Sequence, residues 1–190
     1  MKKPKRILVV MASPRPRGNS TALAREAALG AEEAGARVTA VPLAKIKIGA
    51  CLACDGCRKP GADGCVQKDG MTALYAELRS ADGLLIASPV YWFTMSGQAK
   101  LFMDRLYAFG AEDYRPLKGK RVGIVLTYAD ADPFSSGAVN ALRSFQDAFA
   151  YVGAPIVGLV YGSADKPGEA AKSATLMKAA RALGRRLATG

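Results

Sequence analysis

Five short runs of Val, Ile and Leu recur along this 190-residue chain, and a stretch of helical periodicity follows each one. The runs occupy 6–11, 37–43, 83–87, 121–127 and 155–161. Each is nearly continuous instead of alternating apolar with polar, as strands covered on both faces are. Between them, residues 20–34 read as a helix capped by Asn19 or Ser20 and closed by Gly35. Met71, Leu74, Tyr75 and Leu78 fall at i, i+3, i+4 and i+7, with Asp69 as the cap. Ala99, Phe102, Met103, Leu106 and Tyr107 form another stripe, as do Ala138, Leu142, Phe145, Phe149 and Val152. Leu176, Ala180, Leu183 and Leu187 mark the last helix. Such alternation predicts an α/β fold, a doubly wound parallel sheet of five strands with helices on both faces.

At this length one domain over 1–190 is expected, burying roughly 70% of its unfolded surface. The irregular stretch 45–68 exceeds an ordinary connection and reads as a functional insertion. No apolar run approaches a membrane span. The basic start at residues 2–6 precedes an apolar run too short for a signal-peptide core, so a cytoplasmic protein is expected.

Histidine is absent. That excludes Ser-His-Asp hydrolysis, Cys-His thiol chemistry and every His-ligated metal site. An enzyme of this composition must work through carboxylates, lysine, cysteine or a cofactor with its own chemistry. The net charge of +11 is spread along the chain, with groups at 2–6, 118–121 and 181–186. No nucleic-acid-binding signature accompanies it, so the field is read as a basic surface able to attract anions or an acidic partner.

In an open sheet of this kind, ligands bind beyond the carboxyl ends of the strands where the winding reverses. Three loops would meet there: 13–21, 88–95 and 127–136. The first, Ser-Pro-Arg-Pro-Arg-Gly-Asn-Ser-Thr, ends at a helix start, whose free N–H groups and partial positive charge suit a phosphate. Ser13, Asn19, Ser20 and Thr21 offer donors, Arg15 a charge-assisted bond, and Gly18 a close approach of the backbone. Neither a Walker loop nor a dinucleotide fingerprint is present, so a monophosphate fits best. The second loop carries Tyr91, Trp92 and Phe93 in a row. Rings in a loop expose apolar area that something flat could cover, and a flavin ring is the candidate. Packing against the next helix or a second subunit would also account for them.

All four cysteines share one segment, Cys51-x2-Cys54-x2-Cys57-x7-Cys65. Three thiolates at that spacing can wrap three corners of an iron-sulfur cubane, and the fourth can close it after the turn at 60–64. Free thiols, tetrahedral zinc and a disulfide are the alternatives.

Ser-Pro-Arg-x-x-Gly-Asn-Ser (13–20), together with Ser-Pro-Val-Tyr-Trp-x-x-Met-Ser-Gly-Gln-x-Lys-x-Phe-Met-Asp-Arg (88–105), resembles the flavodoxin-like NADPH-dependent FMN reductase family, and within it the iron-sulfur flavoproteins. The resemblance implies the strand order 2-1-3-4-5. It implies FMN phosphate at Ser13, Arg15, Asn19, Ser20 and Thr21, and the isoalloxazine against Pro89, Val90, Tyr91, Trp92 and Phe93, with Thr127 and Tyr128 from the third loop. It implies a [4Fe–4S] cluster on Cys51, Cys54, Cys57 and Cys65. It also implies a homodimer or homotetramer, with NAD(P)H a possible donor and an acidic ferredoxin, quinone or flavin as redox partner. Two rival readings stand beside it. One is a cluster-free NAD(P)H-dependent FMN or quinone reductase; the other is a zinc-stabilised interaction domain without redox chemistry.

Overall fold

The computed structural model describes residues 3–62 and 64–189. Lys2 of the first basic group and Asp63 of the 60–64 turn lie outside them. Five parallel strands, β1 (Arg6–Met11), β2 (Arg37–Pro42), β3 (Gly83–Tyr91), β5 (Arg121–Tyr128) and β6 (Ile156–Ser163), line up in the order β2-β1-β3-β5-β6. The order is the expected one, with the numbering displaced by one extra strand. That strand, β4 (Thr94–Met95), turns back antiparallel on the end of β3.

Six helices complete the fold: α1 (Asn19–Glu33), α2 (Gly70–Ser80), α3 (Gly97–Arg105), α4 (Ala138–Tyr151), the single turn α5 (Glu169–Lys172) and α6 (Ala174–Thr189). Strand pleating divides the core in two, because successive side chains point to opposite faces. Ile7, Val9 and Met11 of β1 join Leu23 and Ala27 of α1 and Leu183 and Leu187 of α6. Leu8 and Val10 face Met71 and Leu78 of α2, Phe102 of α3, and Phe145 and Phe149 of α4. The doubly covered strands explain the continuous apolar runs.

On the first face the helices approach closely. An added Cβ at Gly184 would overlap the carbonyl oxygen of Ala27, and one at Gly30 would overlap that of Arg181. Arg181 and Arg185 of α6 pair with Glu26 and Glu33 of α1 around this contact. Gly35, at φ +83°, ends α1 by donating to the carbonyl of Glu32, as the sequence suggests.

The segment 46–69 contains one short 3-10 turn (Gly56–Arg58) and is otherwise irregular. A buried ion pair anchors it. Arg105, 2% exposed, reaches both carboxylate oxygens of Asp69 at 2.6 and 3.1 Å and donates to the carbonyl of Gly49 at 2.9 Å. Asp69 also accepts from the N–H groups of Gly49 and Met71, the second of these being the predicted cap of α2. Burial would push the Asp69 carboxyl up, but the hydrogen bonds from Arg105, Gly49 and Met71 outweigh it and hold the group below its ordinary value.

Candidate functional site

At the carboxyl ends of β1, β3 and β5 lies a cleft of about 190 Å³. Ser13, Arg15, Gly18, Asn19 and Ser20 line it on one side, Pro89, Val90 and Tyr91 on another, Thr127, Tyr128 and Ala129 on a third. The segment 164–167 closes it. The three loops thus converge at the switch point of the sheet, between β1 and β3.

The first loop is a tight turn that leads into the start of α1. Ser13 Oγ accepts the N–H of Arg15 at 3.1 Å, and Gly18 N–H closes onto the Arg15 carbonyl at 2.9 Å. A Cβ at Gly18 would stand 2.6 Å from Ser13 Oγ, so only glycine permits this tight loop. Gly18 is the N-cap of α1, and no side chain caps the helix. Helix starts leave N–H groups without partners, and the usual side-chain substitute is missing here. Ser20, 1% exposed, adds a buried hydroxyl with no hydrogen-bond partner among the described residues. An acceptor with several oxygens, such as a phosphate, satisfies all of these donors together. Arg15 is solvent-exposed, with no hydrogen bond or ion pair of its guanidinium among the described residues.

Asn19 does different work from that expected. Its side chain donates to the carbonyls of Ala164 (2.9 Å) and Lys166 (3.0 Å) and accepts from the N–H groups of Gly168 and Ala170. It neither caps α1 nor is free for a ligand; it fixes the segment that closes the cleft. Partners 145 or more positions away in sequence gave no local sign of this. Thr21 also stands apart: its hydroxyl bonds the Arg15 carbonyl at 3.4 Å, and it lines a neighbouring hollow.

The aromatic stretch is a hairpin. Tyr91 pairs with Thr94 and Val90 with Met95, so Trp92 and Phe93 form a two-residue turn, both at positive φ (49° and 64°). That is the type I′ arrangement, normally given to Asn or Gly because bulky side chains are strained there. Two features of α4 brace the turn: Asn140 donates to the Phe93 carbonyl at 3.1 Å, and Gly137 packs so close that an added Cβ would lie 2.5 Å from Phe93 Cα. At the hairpin base, Ser96 Oγ donates to the carbonyl of Ala12 (2.8 Å) and caps α3, while Ser88 Oγ accepts the Ser96 N–H at 2.9 Å. Tyr91 therefore lines the cleft. Trp92, 91% exposed, and Phe93 stand outside its lining at the hairpin tip.

The four cysteines line a second, narrow hollow with Arg105 and Tyr107. All are free thiols: Cys51 and Cys54 exposed, Cys65 partly so, Cys57 buried, with burial pushing its thiol up. Among the described residues no three of them converge as metal ligands. Number, softness and a shared hollow suit an iron-sulfur cluster.

An open parallel α/β sheet in this strand order, with a cleft at its switch point, defines a flavodoxin-like fold. The model of the NADPH-dependent FMN reductase family matches residues 5–169, and the chain belongs to that family. An iron-sulfur flavoprotein of Methanocaldococcus jannaschii is 39% identical over 118 residues, covering 62% of this chain and 58% of that protein. One of Archaeoglobus fulgidus is 36% identical over 121 residues, 63% of this chain and 53% of its own length. The chain thus spans little more than half the length of these curated relatives. Among solved structures, an NAD(P)H:quinone oxidoreductase from Methanothermobacter marburgensis superposes with a TM-score of 0.73 at 16% identity, covering 97% of this chain and 98% of that one. This last likeness supports the fold. No helix among the described residues is long and apolar enough to cross a membrane.

Proposed function

We infer that this chain is an FMN-dependent oxidoreductase of the iron-sulfur flavoprotein type. The observation that carries the reading is the buried, unpartnered Ser20 hydroxyl beside the uncapped start of α1, at the mouth of the cleft. Ser13, Arg15, Ser20 and the backbone of Asn19 would grip the phosphate. Pro89, Val90 and Tyr91 would flank the isoalloxazine, with Thr127 and Tyr128 across from them; Trp92 and Phe93 would extend the wall outward. Bound FMN supplies reversible hydride and single-electron transfer. The chain's own part is to hold, orient and partly cover the ring, and no side-chain acid or base is assigned, in keeping with the absence of histidine. NAD(P)H is the proposed hydride donor, and a quinone, a flavin or an acidic ferredoxin the proposed acceptor.

The names of the relatives support a cluster on Cys51, Cys54, Cys57 and Cys65, which would pass single electrons. A cluster-free reductase with the same flavin site is the second reading, since no three of the thiols meet as metal ligands among the described residues. The exposed rings of Trp92 and Phe93, with Phe134 at 78% exposure, motivate a homodimer or homotetramer. Anaerobic purification followed by gel filtration tests the proposal. Co-elution of FMN with the protein supports the flavin site, and its loss from reconstituted protein overturns it. Iron and sulfide in the same fractions decide between the two readings.

A further inference from the structure

A larger cavity lies elsewhere. It measures about 480 Å³, within the roughly 300–1,000 Å³ of small-molecule sites, and shares no lining residue with the flavin cleft. Its floor is Leu117 and Phe149, and its walls are Tyr107, Tyr114 and Tyr151 with Val152. Tyr114 and Tyr151 meet edge to face, centroids 5.5 Å apart at 72°. Tyr107 is held rigidly: its hydroxyl donates to Asp55 at 2.9 Å and accepts from Arg58 at 3.1 Å, and the Arg58 guanidinium lies over its ring at 5.4 Å.

The backbone around this cavity is strained. Outside the hairpin tip, the positive-φ residues other than glycine among those described are Ala53, Asp55, Asp113 and Tyr114. Aspartate tolerates that region, and Asp113 closes a 3-10 helix there. Ala53 and Tyr114, at φ 49° and 55°, have no such excuse, and both line the cavity. Strain of this kind persists where the surroundings hold it and concentrates at functional sites. The cavity also shares Cys51, Asp55, Asp104 and Tyr107 with the cysteine hollow, so an occupant would lie against the cysteine segment.

We propose that this cavity is a second ligand site, for a neutral, planar aromatic molecule of one or two rings, of the hydroxyarene class. Three ring walls and an apolar floor select a flat apolar body. The charged groups in the lining are Asp55 and Asp104. Lys100 neutralises Asp104 at 2.6 Å; Asp55 keeps its charge, because the Tyr107 hydroxyl that donates to it is neutral, and it is the group that opposes an anion.

Equilibrium dialysis of 2-naphthol against the protein as isolated tests the proposal. One molecule should bind per chain. Ala148→Trp, which fills the cavity, should weaken binding about tenfold or more, whereas Ala129→Trp in the flavin cleft should leave it unchanged. The anion 2-naphthoate should bind about tenfold more weakly than 2-naphthol. Should Ala148→Trp fail to fold, Tyr151→Ser at an exposed wall position should still weaken binding about fivefold. Loss of binding in Ala129→Trp alone, equal binding of naphthoate, or no binding in a wild-type protein whose oligomeric state Ala148→Trp alters would each overturn it.

Discussion

In the proposed phosphate site, Ser20 and Arg15 would act together from opposite environments. The Ser20 hydroxyl is buried without a partner, a cost that a bound phosphate would relieve, whereas Arg15 is exposed and uncommitted. Arg15→Ala should therefore weaken FMN binding by roughly 1–3 kcal/mol, and Ser20→Ala by about 1 kcal/mol. Quenching of FMN fluorescence on titration measures both, and unchanged affinity would remove that residue from the site. These two were legible in the sequence because a helix start is a local feature. Asn19 was not, since its side chain answers backbone groups from the far end of the chain. Trp92 and Phe93 were legible as an exposed aromatic pair; their type I′ turn was not, because local preference argues for Asn-Gly there and tertiary bracing by Gly137 and Asn140 overrides it. Gly137→Ala adds a clash with Phe93 and strain at φ +74°, and should destabilise the protein by about 1–3 kcal/mol in urea unfolding.

Between elements, the cysteine segment depends on α3 through Arg105 and Asp69. Because hydrogen bonds hold the Asp69 carboxyl below its ordinary value, this contact contributes stability above the unfolded carboxyl value of about 3.9 and loses it as pH falls through the lower folded value. Urea unfolding of the wild type should show that loss below about pH 4, and Asp69→Asn should flatten the profile in that range. At neutral pH, Arg105→Met should cost about 3–5 kcal/mol by leaving a buried carboxylate unpaired. The sequence identified Asp69 as a cap; that the same carboxylate also receives a buried arginine 36 positions later is a tertiary fact. The Gly30–Gly184 contact of α1 and α6 was likewise invisible, since apolar periodicity shows which face is buried and not how near two backbones come.

For the whole molecule, a net charge of +11 keeps copies apart while the hairpin tip offers apolar area to join them. If the rings at 92 and 93 form a subunit contact, Trp92→Ser should shift the sedimentation profile toward smaller species, and an unchanged profile would clear the tip of that role. Basic charge of this size also predicts that association with an acidic redox partner slows as salt is added.

Strand and helix positions were written in the sequence, because burial on both faces of a sheet leaves a local pattern; the strand order followed from the family resemblance and not from that pattern. The cavity walled by Tyr107, Tyr114 and Tyr151 was decided only when α3, α4 and the cysteine segment came together. Its walls come from separate stretches of chain, and no periodicity within one stretch encodes their meeting.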